Sequence, residues 1–233
     1  MGNSPRGVEA RDPEVAARGS WNNLMRYPAG RKEQTRKKIL GTAGRIFRRN
    51  GYHASGVDKV MEEAGLTAGG FYSHFSSKQE LLAAALAEAG AESRQRVEKG
   101  IRGRSGRAWV KGFLGRYLGG KHREDIEDGC PLAALVSEVS RADESVKASF
   151  EGIVRDLQER LASHVGPDRT RADEKALAAM SMCVGGLGLA RSVNDKALAE
   201  RILASCRRQA ELILLGTEAK ATQPHSTKPK GKS

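Results

Sequence analysis

The chain has 233 residues and a formal charge of +12 at pH 7, with 27 glycines and 3 cysteines. That length holds one large domain or two small ones, and three widely spaced cysteines (Cys130, Cys183, Cys206) exclude a disulfide framework and suit a reducing compartment. No apolar run approaches the roughly 18 residues of a membrane span, and no apolar stretch of signal type opens the chain. The expectation is a cytoplasmic protein with no membrane partner.

The charge is unevenly placed. Residues 1–82 hold 14 Lys/Arg against 8 Asp/Glu, while residues 83–216 hold 22 against 19. The densest stretch is 31–50, with Arg31, Lys32, Arg36, Lys37, Lys38, Arg45, Arg48 and Arg49 against Glu33 alone. Such polarity points to an N-terminal module that meets a polyanion and a nearly neutral body.

Residues 1–30 mix Gly, Pro, Asn and charge without period and are expected to be disordered, with Met25 a possible alternative start. From Glu33 the pattern is helical: Ile39, Leu40, Ala43, Ile46 and Phe47 form one apolar stripe, stopped at Asn50-Gly51. Ser55 with Asp58 reads as a capping pair for a short second helix carrying Val57, Val60, Met61 and Ala64. Gly65 ends it, and Thr67 can cap a third, brief helix through His74. Ser77 and Glu80 make a capping box for a fourth.

Downstream, Trp109, Val110, Phe113, Leu114, Tyr117 and Leu118 form a stripe closed by Gly119-Gly120. Pro131 suits a first helical position and opens the next. A long helix carries Val146 to Leu161 and is expected to end at Gly166-Pro167. Thr170 with Asp173 reads as the cap of another, running to about Arg191, and Asp195 starts the last. Residues 217–233 read as a disordered basic tail. The predicted fold is all-α, with about nine helices, in two parts: 31–82 and 83–216.

The informative segment is 34–82. Two short helices joined by Ala64-Gly65-Leu66 have the geometry of a helix-turn-helix, whose second helix enters the major groove. Ala64 lets the helices approach, and Gly65 can take the left-handed turn. Phe71 and Phe75, four apart, can anchor the second helix on the first stripe, leaving Tyr72, Ser73 and His74 facing outward. Lys78 at the next helix start can meet a phosphate.

At these residues the chain resembles the TetR/AcrR family of bacterial regulators. The match lies in Thr35-Arg36, Ile39-Leu40, Ala43, Phe47, Gly51-Tyr52 and above all AGLTAGGFYSHFSSKQELL, covering about 31–82. The resemblance implies a homodimer on a near-palindromic double-stranded operator, usually a repressor released by a small-molecule effector. The downstream body matches by layout alone, and GCPLAALVSE at 129–138 resembles members of the family. Candidate DNA contacts are Arg36, Ser55, Thr67, Ala68, Gly69, Gly70, Tyr72, Ser73, His74 and Lys78. One departure is Ala68-Gly69-Gly70, which offers no side-chain donor or acceptor, so base reading must rest on Thr67, Tyr72, Ser73, backbone groups and DNA shape.

The stripe Trp109/Phe113/Tyr117 reads as core from its spacing. The resemblance makes it, with Cys130, Leu135, Phe150 and Ile153, the candidate wall of an effector cavity. The last two helices are the candidate dimer face, at Met180, Cys183, Val184, Gly186, Leu187, Leu203, Cys206 and Ala210, with Gly185, Gly186 and Gly188 permitting close approach. Cys130, expected at an N-cap, is either a small apolar cap or a thiol open to oxidants.

Other readings are weaker. Gly185-Gly186-Leu187-Gly188 follows a helical pattern and lacks the strand a dinucleotide loop needs. His122 and His164 have no metal-ligand spacing with any cysteine. No nucleophile–base pair stands out, so neither enzyme chemistry nor a cofactor is expected. The competing function is a non-specific or architectural nucleic-acid-binding protein that uses the basic arm and tail without an effector.

Overall fold

The computed structural model describes residues 30–216. The expectations for residues 1–29, including a start at Met25, and for the tail at 217–233 lie outside the described residues. Within them the chain is all-α, with nine α-helices and one 3₁₀ helix and no strand. In order these are α1 (Arg31–Asn50), α2 (Val57–Glu63), the 3₁₀ helix (Ala68–Ser73), α3 (Lys78–Gly100) and α4 (Gly106–Tyr117). Then follow α5 (Gly120–Glu124), α6 (Pro131–Val139), α7 (Glu144–Ala162), α8 (Arg169–Arg191) and α9 (Lys196–Leu215). No described helix is long and apolar enough to cross a membrane.

Most predicted helix starts and stops match the local chemistry. Ser77 caps α3 by accepting the Glu80 N–H at 3.0 Å, and Asp195 caps α9 through the N–H groups of Ala197 and Leu198. The Glu80 carboxylate reaches back to the N–H and hydroxyl of Ser76 rather than to the cap residue itself. Pro131 is the first residue of α6, with Cys130 as its N-cap. Gly65 closes the turn at φ +65°, where a Cβ would be strained.

Four expectations need correction. Gly56, not Ser55, precedes α2; the Ser55 side chain is fully buried and its hydroxyl donates to the Gly51 carbonyl at 2.7 Å. Asp168 caps α8 by accepting the Arg171 N–H, so Thr170 and Asp173 lie inside the helix. Helix α7 stops at Ala162, short of Gly166-Pro167. Finally, Gly120 opens α5, a five-residue helix with no buried side chain and therefore no apolar period to betray it.

Two apolar cores form. The head core joins Ile39, Leu40, Ala43, Ile46 and Phe47 of α1 to Val60, Met61, Phe71, Phe75 and the first turns of α3. It also takes in Leu135 and Val139 of α6 and Val146 of α7. The body core is built from α4, α7, α8 and α9. Each fully buried Leu or Phe adds about 1.5–3 kcal/mol, so the head is held to the body by apolar burial as well as by chain continuity. The expected junction at 82/83 falls inside α3, which packs against α1 on the head side and α7 on the body side.

Candidate nucleic-acid interface

The head presents α1, α2 and the 3₁₀ helix in the order a helix-turn-helix requires. The second helix is short and tight, with Gly70 N–H on the Thr67 carbonyl at 3.0 Å and His74 N–H on that of Phe71 at 2.9 Å. Two glycines and an N-cap Thr67 that makes no side-chain capping bond explain why it stays a 3₁₀ turn. Phe71 and Phe75 anchor it as predicted: both are buried, stacked at 5.7 Å between ring centroids.

Outside this anchor, Thr67, Ala68, Gly69, Tyr72 and Ser73 are exposed, Tyr72 to 77%. A Cβ at Gly69 would meet nothing within 4 Å, so its smallness leaves room for an outside surface instead of serving packing. Gly70 is half-buried over Met61. The Ser73 hydroxyl donates to the Gly70 carbonyl at 2.7 Å, which ties up its proton but leaves its lone pairs. Arg36 is half-buried, its guanidinium 4.7 Å from the Phe75 ring centre.

Three candidates sit differently from expectation. Ser55 is interior and cannot touch DNA without the loop opening. His74 is half-buried, with a buried Nδ1 that has no partner; burial, with Lys32 and Arg36 nearby, holds its pKa below the ordinary value. Lys78, the first residue of α3, is already engaged within its own chain. Its Nζ donates to the Tyr52 carbonyl at 2.7 Å and lies 4.1 Å over the Tyr52 ring, and burial lowers its pKa.

Residues 39–85 match the family model for bacterial regulatory proteins of the tetR family, and residues 110–204 match that for the C-terminal domain of LmrA/YxaF-like transcriptional regulators. The chain belongs to the TetR family of transcriptional regulators. Among curated relatives it is 28% identical over 168 residues to the HTH-type transcriptional regulator LmrA of Bacillus subtilis, spanning 69% of this chain and 88% of that one. It is likewise 28% identical over 133 residues to an uncharacterised regulator from the lacX 3' region of Lactococcus lactis, spanning 56% and 68%. The fold is shared with a TetR regulator from Chloroflexus aurantiacus (TM-score 0.65, 22% identity, 77% and 93% covered). It is shared also with reduced NemR of E. coli (TM-score 0.67, 18% identity, 80% and 100% covered). A helix-turn-helix that binds DNA is thus the function of residues 39–85.

In this TetR-family body the candidate cavity residues divide. Phe113, Tyr117, Cys130 and Ile153 line a small cavity between α3, α4, α6 and α7, together with Arg94, Asp156 and Arg160. Its open volume is about 20 Å³, room for about one water molecule. Trp109 instead stacks between Phe113 at 5.4 Å and His164 at 4.1 Å, Leu135 belongs to the head core, and Phe150 lies between the two cores. The Tyr117 hydroxyl is buried without a hydrogen-bond partner, and burial beside Cys130 pushes its phenol well above the ordinary value. All three cysteines are free thiols; burial raises Cys183 and Cys206, which disfavours their thiolates.

Sequence reasoning missed a polar knot around α5. His122 Nδ1–H donates to the Tyr117 carbonyl at 2.8 Å, and its Nε2 accepts the Cys130 N–H at 3.0 Å, which fixes the neutral tautomer. Arg191, at the end of α8, donates to the carbonyls of His122, Arg123 and Asp125. Burial holds the His122 pKa below its ordinary 6.5. The sign follows directly: in the acid range the unfolded chain binds the proton more readily, so this contribution is complete above pH 6.5 and is lost as pH falls through the folded value. His74 and His164 shift the same way. Thermal melts from pH 7 to 5 should therefore fall, and His122→Asn should fall less steeply; an unchanged slope would remove His122 from the account.

The candidate dimer residues also divide. Met180, Cys183, Gly186, Leu187, Leu203 and Ala210 are buried within the subunit, while Val184 and Cys206 are half-buried and keep part of their surface open. The exposed apolar side chains on these helices are Leu177 and Leu189 of α8 with Leu198 and Leu212 of α9.

Proposed function

We propose that this regulator is a dimeric repressor that holds a near-palindromic operator and releases it when a small molecule enters the body. The observation that carries operator reading is the exposed surface of the 3₁₀ helix, Thr67, Ala68, Gly69 and Tyr72, beside the basic α1. Tyr72 supplies a hydroxyl and a ring for base edges and phosphate, Ala68 a methyl for thymine, and Gly69 and Gly70 close backbone approach. Arg36 and Ser73 lie at its margin. A second subunit covers Leu177, Leu189, Leu198 and Leu212, which sets two heads about 34–36 Å apart on successive major grooves. The effector expands the cavity beside Tyr117, Cys130 and Arg160, where an unpartnered hydroxyl awaits an acceptor or donor.

The test is selection of bound DNA from a random pool by the full chain, then titration of the recovered palindrome against random DNA at physiological salt. A specificity ratio of 10³ or more supports the reading, and a ratio near one favours architectural binding. In the same titration, Tyr72→Ala should weaken operator binding about tenfold, weaken random-DNA binding less and leave the salt slope unchanged, since base contacts carry discrimination. Equal losses on both DNAs would mean that Tyr72 reads no bases.

A further inference from the structure

The stretch Gly129–Glu138 has its ends on the two working parts of the molecule. At the start, Cys130, Pro131 and Leu132 line the body cavity, and the Cys130 N–H is held by His122. At the end, the Glu138 carboxylate leaves the body and accepts the N–H of Tyr52 at 2.9 Å on each oxygen and the N–H of His53 at 3.3 Å. Between them α6 is nine residues, about 13 Å of rigid helix at 1.5 Å per residue, with Leu135 and Val139 sunk in the head core.

Tyr52 is gripped from two sides. Its N–H belongs to Glu138 of the body, while its carbonyl and ring belong to Lys78 at the first residue of α3. The ring also packs edge-on against Phe47 at 5.5 Å. Tyr52 begins the loop that leads into α2, and α2 leads through the Gly65 turn into the 3₁₀ helix. Backbone N–H groups bonded to a charged carboxylate are held about twice as firmly as by a neutral acceptor. A carboxylate from 86 residues away therefore fixes the loop that leads into the helix-turn-helix.

We propose that Glu138 is a positioning residue for operator recognition: by holding the Tyr52–His53 backbone it sets the angle of the reading head. This rests on the operator reading given above. A purely electrostatic role has the opposite sign, because removing a carboxylate from a DNA-binding protein strengthens its attraction to any DNA.

The experiment uses the full chain, the palindrome recovered by selection and random DNA of equal length, with Glu138→Ala and Glu138→Gln. Glu138→Ala is expected to lose at least tenfold on the palindrome, to bind random DNA as well as wild type or slightly better, and to keep the salt slope. Amide exchange should rise at Tyr52 and His53 but not along α6 or in the body. Glu138→Gln, which keeps one acceptor oxygen, should restore most of the palindrome affinity. Wild-type affinity in Glu138→Ala, while wild type still prefers the palindrome, overturns this inference alone. A parallel loss on both DNAs with faster exchange throughout the head overturns it as a general folding defect. Wild type that binds both DNAs alike overturns the operator reading and this inference with it.

Discussion

Phe71→Ala is expected to abolish DNA binding while leaving the body folded. Phe71 is the sole buried side chain of the 3₁₀ helix, and its stacking on Phe75 seats that helix on the apolar stripe of α1 and α2. Truncating a buried phenylalanine costs about 3–5 kcal/mol, because lost burial adds to the cavity left behind. The neighbouring Gly69-Gly70 cannot offset the loss, since glycine gives up more freedom on ordering than any other residue. The head is small, so most of that cost falls on local opening of the 3₁₀ segment, not on the α8–α9 body. Circular dichroism should show a small loss of helix and an early, low-amplitude transition, and titrations should show operator binding gone. A variant that binds the selected palindrome as wild type does would mean that the 3₁₀ helix is not the reading element.

The features that were legible in the sequence are those whose cause is local. Amphipathic period marks α1, α3, α4, α6, α7 and α9, and Pro131, Ser77 and Asp195 sit where the chemistry of helix starts needs them. Local signals also compete. Ser55 and Asp58 have the spacing of a cap, but the Ser55 hydroxyl turns inward to Gly51 instead. Asp168 and Thr170 both suit a helix start, and only the backbone path decides that Asp168 takes the bond. Lys78 has the composition of a phosphate contact, yet its nearest acceptor is a carbonyl of its own chain, 26 residues back. The link from Glu138 to Tyr52 spans 86 residues and carries no periodic signature at all. It becomes visible only when α6 is seen standing against α1. The cavity suffers from the same limit: the aromatic stripe of α4 is real, but which of its faces meets open space depends on α3, α6 and α7.

Gly185 and Gly186 of α8 separate packing within a subunit from contact between subunits. Helix α8 carries Ala, Gly, Leu and Met all round, so its sequence does not say which face meets α9. The structure does: a Cβ at Gly186 would lie 2.6 Å from Cys206 Sγ and 3.0 Å from its Cβ, with Leu118 also close, whereas one at Gly185 would meet nothing within 4 Å. Gly186→Leu therefore forces α8 and α9 apart inside each subunit. Overpacking of this kind costs about 1–3 kcal/mol and sometimes more, which for a domain of this size lowers the melting temperature by about 2–10 °C. Its DNA binding should decline as a consequence of damaged folding. Leu189→Arg has the opposite profile. Leu189 is 61% exposed in the subunit, so arginine there strains no interior contact and helix content should hold. If α8 meets a second copy of the chain, that arginine buries an unpaired charge at the interface, sedimentation shifts to monomer, and the palindrome loses its two-headed grip. Sedimentation, melting and operator titration of both variants separate the two roles. Leu189→Arg that stays dimeric and binds the palindrome would place the subunit contact elsewhere, and Gly186→Leu that melts as wild type does would show that α8 and α9 can part without cost.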